Sequence, residues 1–399
     1  LQGPANTIGC VKIAVTVKLS PTPEQAASMR ATLKVANEAA NWVSQVAFDR
    51  GVPREYALRT HTYAELKTRG LGAQAAQHVI KKVSDAYTTL RANIKAGNLG
   101  EPGSVRRGKA ESKPIAFRAD SAQPFDDRCL SWQLDAGTVS IWTVAGRIRG
   151  IPFTGGADQL KTLRGFRKGE SNLVCRDGVF YLMATCEVPE SALNEHPMGW
   201  LGVDLGIVNV ATTSDGKIRS NRARNRQRER EQDLRAKLHA KGTKAAKRLL
   251  KIRRRKEQRR NNDINHQVSK RIVAEAERTG HGIALETLTG LRDRVRLRKP
   301  QRAAIHSWPF HQLAAFIAYK AKIAGVPVVY VDAAYTSQEC SYCHHVDKKN
   351  RPSQAVFCCR SCGVVAHADW NASRNIAARG DSAWTAGRES RVPPPPEAR

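Results

Sequence analysis

The chain holds 399 residues, with 66 Lys and Arg against 36 Asp and Glu, a formal net charge of +30 and 6% aromatic residues. A surplus of this size points to a polyanionic partner, most simply nucleic acid, whose phosphates release counterions when cationic side chains arrive. An anionic membrane surface is the rival partner, but there is no uninterrupted apolar run of the roughly 18 residues needed to span a bilayer.

Val11 to Lys18 alternate apolar and polar, which predicts a half-buried strand ending at Ser20-Pro21. Thr22-Pro23-Glu24-Gln25 reads as a helix start, with Thr22 as N-cap, Pro23 in the first helical position and Gln25 closing a capping box. That helix is expected to run to about Phe48, and a second from Ala73 to Gly97. From Pro114 the pattern turns to strands: Leu130–Leu134, Val139–Val144, Ile148–Phe153, Asn172–Cys175 and Val179–Val188, the last two around the hairpin signal Arg176-Asp177-Gly178. Short, evenly spaced strands suit a small barrel or sandwich. The first strand either completes that barrel, with the helices as an insertion, or belongs to a separate small domain.

Pro189 to Pro197 reads as a linker, and Trp200 to Thr213 as two strands around Asp204 and a tight glycine. Lys217 to Arg278 is a helical segment with 23 Lys and Arg against seven acids, and its densest run holds Arg253, Arg254, Arg255, Lys256, Arg259 and Arg260. A charge run is often a solvated surface, but this concentration favours a face that tracks phosphates. Gly282–Glu286 is a buried strand ending in a carboxylate, Phe310 to Ala321 an amphipathic helix and Val326–Val331 a further strand. After Gly380 the chain becomes polar and ends in a Pro-rich run that suits disorder.

Two C-x-x-C pairs, Cys340/Cys343 and Cys359/Cys362, bring four thiolates into reach of one ion, the pattern of a structural Zn²⁺ site. The competing assignment is a pair of disulfides. Five other cysteines (Cys10, Cys129, Cys175, Cys186 and Cys358) are scattered, usage that suits a reducing cytosol; no secretory signal pattern opens the sequence. Asp204 within an apolar strand, Glu286 at the end of another and Asp369 at the start of a helix are the telling acids. A carboxylate in a core strand is costly unless paired or bound to metal. Three converging carboxylates are hard oxygen ligands suited to Mg²⁺, and two such ions about 4 Å apart promote phosphodiester cleavage. His367 could steady Asp369, though a plain surface histidine is the simpler assignment. Neither a G-x-S-x-G nucleophile motif nor a P-loop is found.

Taken in order, G-V-D-L-G, A-L-E, C-x-x-C, F-x-C-x-x-C-G and A-D-x-N-A-S-x-N-I resemble the transposon-encoded TnpB nucleases and the miniature type V CRISPR effectors, over about residues 198 to 380. The resemblance implies a multidomain α+β protein: an N-terminal wedge β-barrel with a helical recognition insertion, then an RNase H-like (RuvC) α/β nuclease domain with an inserted zinc ribbon. The expected boundaries are 9–20 with 105–192 for the wedge, 21–104 for the recognition lobe, 196–337 with 365–380 for the nuclease, 338–364 for the ribbon and 381–399 for a disordered tail. It further implies Asp204, Glu286 and Asp369 as the Mg²⁺ triad and Arg351 as a contact to substrate phosphate. The expected partners are a guide RNA and a DNA target, double-stranded and displaced as a single strand, whose sequence is read by base pairing beside a short recognised motif. The expected assembly is a monomer in a ribonucleoprotein in the prokaryotic cytosol. A guided silencer without cleavage and an RNase H-like transposase are the alternatives.

Overall fold

The computed structural model describes residues 9–206, 208–220, 222–287 and 310–386. The chain divides into two compact units, Lys12–Val188 and Pro189–Arg399 with Leu1–Val11. Among the described residues, no helix is long and apolar enough to cross a membrane.

In the first unit, strand β1 (Cys10–Leu19) leads into α1 (Pro23–Arg50), whose start is the expected capping box. The Gln25 N–H donates to Thr22 Oγ1 at 3.2 Å, and the Thr22 N–H donates to Gln25 Oε1 at 3.0 Å. Then come α2 (Glu55–Thr68), α3 (Ala73–Lys95) and α4 (Val105–Glu111), so helical structure continues past the expected boundary at 104. Alanine faces on α1 and α3, with Val43, Leu58, Leu66, Val79 and Val83, form the core of this helical part.

Strands β2 (Gln123–Phe125), β3 (Leu130–Gln133), β4 (Thr138–Thr143) and β5 (Gly146–Thr154) follow, then α5 (Ala157–Phe166), β6 (Arg167–Arg176) and β7 (Val179–Pro189). They form one seven-stranded, nearly closed sheet in the order β2-β6-β7-β1-β5-β4-β3. β1 lies inside that order, so the helices are an insertion into the sheet and not a separate domain. The β6–β7 hairpin turns on Asp177 and Gly178, at φ 52° and 81°, the left-handed pair that a tight two-residue turn requires. The sequence reading missed β2, too short to show a period, and α5.

The second unit is built on β8 (Trp200–Asp204), β9 (Asn209–Thr213) and β10 (Ile218–Ser220). The basic segment then forms two helices, α6 (Arg222–Lys241) and α7 (Lys244–Thr279). They are divided at Gly242, φ 61°, and the N-cap Thr243. β11 (Gly282–Glu286), α8 (Phe310–Ala324) and β12 (Val328–Val331) complete a sheet ordered β10-β9-β8-β11-β12. The β8–β9–β10 part is antiparallel, and β11 runs parallel to both β8 and β12. A short hairpin, β13 (Val356–Cys358) and β14 (Val365–His367), precedes α9 (Ala368–Thr385). The expected ribbon boundary at 364 therefore cuts a hairpin, which the pairing of Cys358 with Val365 holds as one piece.

Alternation along β8 and β11 assigns the two faces of this sheet. Leu201, Val203, Ile283 and Leu285 face a core supplied by Val268, Ile272 and Val273 of α7 and Leu313 and Ile317 of α8. Trp200 and Ala284 face the other way, with Ile376 of α9, Val329 and Val331. Gly202 is on that second face, where a Cβ would lie 2.0 Å from the Ser373 carbonyl oxygen and 2.5 Å from the Ala377 nitrogen. Helix backbone is packed directly on strand backbone there. At its other end α9 runs beyond the expected tail boundary at 381. Trp384 packs on Trp200 at 5.6 Å between ring centroids, and the Trp200 Nε1–H donates to Asp381 Oδ1 at 3.1 Å. The remainder of the expected tail, 387–399, lies outside the described residues.

Gly202→Ala is expected to destabilise this unit by at least ~1–3 kcal/mol, the usual cost of overpacking a core, because the opposing atoms are backbone. Denaturant unfolding measures it; an unchanged midpoint would mean the two backbones are not in this contact.

Candidate functional site

The same alternation that places Gly202 against α9 also places Asp204 on that face, two residues further along β8. On β11 it takes Glu286 to the face of Ala284. Leu285 pairs with Val203 in the parallel ladder, so the two acids end adjacent strands at their carboxyl edges, where open α/β sheets bind ligands. Asp369 is the second residue of α9, which begins over the same edge.

Two of the three acids, Asp369 and Glu286, are held by hydrogen bonds from the chain. Asp369 Oδ2 accepts from Asn209 Nδ2 at 2.9 Å, and its Oδ1 accepts from the Arg351 guanidinium at 3.2 Å. The backbone N–H of Asp369 donates to Nδ1 of His367, the helix N-cap, at 3.3 Å, so His367 has a capping role. Glu286 Oε1 accepts from Thr336 Oγ1 at 2.5 Å. Burial raises the Asp204 carboxyl well above the usual range, and the negative charges of Glu286 and Asp369 add to the rise while Arg351 opposes it. Burial raises Glu286 as well, offset by the Thr336 bond and the charge of Arg379. The structure thus brings Asp204, Glu286, Asp369 and Arg351 into one electrostatic neighbourhood. Asn209 and Thr336, which hold Asp369 and Glu286, lack a signal of their own in the sequence, because polar residues at strand and loop positions are common.

A buried carboxyl whose proton affinity is raised by two neighbouring carboxylates belongs to a set of hard oxygen donors that fits a divalent cation. Among the described residues, however, the ligand atoms that gather in threes or more within 4.8 Å belong to two other groups. The three carboxylates are not one of those groups.

The larger of those groups is Cys340, Cys343, Cys359 and Cys362. Cys340 and Cys362 sulfurs are 3.7 Å apart and Cys343 and Cys359 sulfurs 3.5 Å. Tetrahedral Zn–S bonds of about 2.3 Å separate sulfurs by about 3.8 Å, so the cluster fits zinc and the cysteines are not disulfide-bonded. Each knuckle closes on a left-handed residue, His344 at φ 59° and Gly363 at φ 74°. Burial opposes ionisation of Cys359, yet the N–H groups of Cys362 and Ser361 and the neighbouring thiols bring it down to about 6. Cys358 stays outside the cluster. Buried Asn350 ties the knuckles together: its Nδ2 donates to the Gln338 and His345 carbonyls and its Oδ1 accepts from the Arg360 N–H. Arg351, the next residue, is thereby delivered to Asp369.

On α7, Arg253, Arg254, Lys256 and Arg259 are exposed, while Arg255 and Arg260 are half-buried. Arg260 pairs with Glu231 at 3.5 Å. Leu249 and Ile252 are 39% and 51% exposed, so the first half of α7 lacks the packing that its second half has on the sheet. A groove of about 570 Å³ between α6 and α7 is lined by Arg226, Gln227, Arg230, Glu231, Leu234 and Arg253.

Residues 310–376 match the family model described as the Cas12f1-like TNB domain. The chain is 44% identical to the CRISPR-associated endodeoxyribonuclease Cas12f1 of Sulfoacidibacillus thermotolerans over 114 residues, 28% of this chain and 26% of that protein. It is 34% identical to the TnpB-like protein MJ0751 of Methanocaldococcus jannaschii over 122 residues, 30% of this chain and 43% of that protein. These matches span less than half the length of either relative. Among solved structures, the Cas12f1–sgRNA–target DNA complex has a protein chain that superposes with a TM-score of 0.58 at 15% identity, over 89% of this chain and 83% of that one. At that identity the likeness concerns the fold.

With the folded-state proton affinity of Asp204 raised above its unfolded value, the metal-free protein loses stability as pH rises from the unfolded pKa through the folded one. Asp204→Asn should therefore raise the melting temperature of chelator-treated protein near neutral pH and change it little in acid. An equal effect at both pH values would show that charge is not the cause.

Proposed function

We propose that this chain, a relative of the TnpB-like and miniature type V effector proteins, is an RNA-guided DNA endonuclease that hydrolyses phosphodiester bonds at Asp204, Glu286 and Asp369. The observation that carries the reading is the convergence of those three acids at the carboxyl edge of one sheet, with Arg351 among them. The strand order β10-β9-β8-β11-β12, antiparallel for three strands and then parallel, supports an RNase H-like, RuvC-type domain.

In this reading Asp204, Glu286 and Asp369 would hold Mg²⁺, as the two ions of a two-metal hydrolysis. When bound, Mg²⁺ supplies Lewis-acid stabilisation of phosphoryl oxygens. Thr336 and Asn209 keep Glu286 and Asp369 from turning away from the site. Arg351 balances the carboxylates until substrate enters, then exchanges its bond to Asp369 for one to a phosphate oxygen. Cys340, Cys343, Cys359 and Cys362 bind Zn²⁺ as a ribbon that fixes Arg351 and the start of α9.

The guide RNA and the DNA target are partners of the whole assembly. The exposed cations of α7 (Arg253, Arg254, Lys256 and Arg259), with Arg255 and Arg260 beside them, suit a phosphate backbone. The nearly closed sheet corresponds to the wedge and the inserted helices to the recognition lobe, which read a short duplex motif beside the target. The assembly is a monomer in a ribonucleoprotein.

Purified with its native flanking DNA, the chain should carry one enriched RNA with a constant structured part and a variable end. It should cut DNA matching that end when Mg²⁺ is present. Cutting without RNA would replace this reading with the transposase, and guided binding without cutting would replace it with the silencer. Asp204→Ala should retain RNA and DNA binding while cleavage falls below detection; an alanine variant that still cuts removes the triad. Cys359→Ser should lose its zinc and unfold the module locally, because zinc contributes ~10–16 kcal/mol to folding in small zinc domains. Unchanged metal content and thermal stability in that variant would rule out the four-cysteine site.

A further inference from the structure

The second group of gathered donors lies in the Lys12–Val188 unit. His78 is on α3, and Asp126 and Cys129 are in the turn between β2 and β3. One ligand atom from each lies within 4.8 Å of the other two. His78 is 3% exposed and Cys129 6%.

The imidazole is poorly satisfied for a group so deeply buried. His78 Nδ1 has no hydrogen-bond partner. Its Nε2 shares a long 3.4 Å hydrogen bond with the side-chain amide nitrogen of Gln74 and faces Asp126 Oδ1 at 3.8 Å, too far for a second one. Buried polar atoms are nearly always bonded, and an ion is one of the ordinary reasons for an exception. The other two donors are fixed in place: Asp126 Oδ1 accepts the N–H groups of Arg128 at 3.2 Å and Cys129 at 3.1 Å, so the turn sets carboxylate and thiol side by side. The nearby cations are engaged elsewhere, with the Arg128 guanidinium donating to Gln74 Oε1 at 3.2 Å and Arg147 to the Arg128 carbonyl.

We propose that His78, Asp126 and Cys129 form a second zinc site, which fastens α3 of the helical insertion to the β2–β3 turn of the sheet. One nitrogen, one carboxylate oxygen and one thiolate make a mixed donor set that suits Zn²⁺, and three protein ligands leave a fourth position for water. Binding takes the thiolate of Cys129, and its proton passes to solvent. The site stands independently of the nuclease reading and of the four-cysteine cluster.

The full chain, incubated with excess zinc, desalted and analysed by elemental mass spectrometry, should retain one equivalent more than the four-cysteine cluster accounts for. His78→Gln and Cys129→Ser should each lose that equivalent and keep the other, while Cys359→Ser should show the reverse. Cobalt loading gives a second readout that does not require the turn variants to fold. Cys359→Ser should keep cobalt d–d bands of a mixed nitrogen, oxygen and sulfur site, distinct from those of four thiolates. A wild-type chain whose entire zinc content disappears in Cys359→Ser, with no cobalt bands left, overturns the proposal. So does undiminished zinc in both His78→Gln and Cys129→Ser.

Discussion

The contact between Gly202 and α9 governs the second unit. Side chains normally keep a helix and a sheet apart; here the Ser373 carbonyl and Ala377 nitrogen occupy the space a Cβ would need. That approach brings the first turn of α9 down to the carboxyl edge of β8 and β11. Two residues along β8 from the contact is Asp204, and one helical turn before Ser373 is Asp369. Ile376, fully buried on the same face, contributes roughly 1.5–3 kcal/mol to keeping the helix there. The position of the third acid is thus a consequence of backbone packing, and the electrostatic crowding at Asp204 is what that packing costs.

The polar side of α9 performs a second task. Asn371, Asn375 and Arg379, four residues apart, form one stripe. Asn375 Nδ2 donates to the carbonyls of Thr336 and Glu339 at 2.9 and 2.7 Å, and Asn371 Nδ2 donates to the Glu339 carbonyl at 2.7 Å. Arg379 donates to the Asp332 and Ala334 carbonyls and, at 2.6 Å, to Glu339 Oε2. The stripe fixes the segment between β12 and the cysteine module, and within it Thr336 holds Glu286. Through Asn371 Oδ1, which accepts the Ser341 N–H at 2.9 Å, it also grips the first knuckle. One helix therefore sets Asp369 directly, Glu286 through Thr336, and Arg351 through the module that Asn350 ties together. A folded cysteine module is part of the geometry of the candidate site rather than an appendage to it.

Much of this was legible beforehand where a local rule suffices. The Thr22 capping box, the Asp177-Gly178 turn and the two C-x-x-C knuckles depend on residues within a few positions of one another, and all three were read directly. Asp204 and Glu286 stood out because a charge at the end of an apolar strand is conspicuous. The capping function of His367 was not, since any histidine before a helix reads the same way. β2 is three residues long and offers no period, and its place beside β6 depends on pairing across some fifty residues. That residues 381–385 continue α9 was not legible, because Asp381 and Trp384 take their meaning from Trp200, far away in the chain.

By itself the sequence determined the chemistry available: four thiols at knuckle spacing, three strategically placed acids, a concentrated cationic helix and the periods that make strands and helices. These are properties of neighbours along the chain, and local sterics and hydrogen bonding decide them. Only the tertiary structure decided which of those groups meet. It inserted β1 between β5 and β7, making the helices an insertion, and split the basic segment into a solvated half and a packed half. It gathered His78, Asp126 and Cys129 from elements that share no motif. Such meetings depend on long-range packing, where a single glycine that admits a helix backbone counts for as much as the residues that carry the charge.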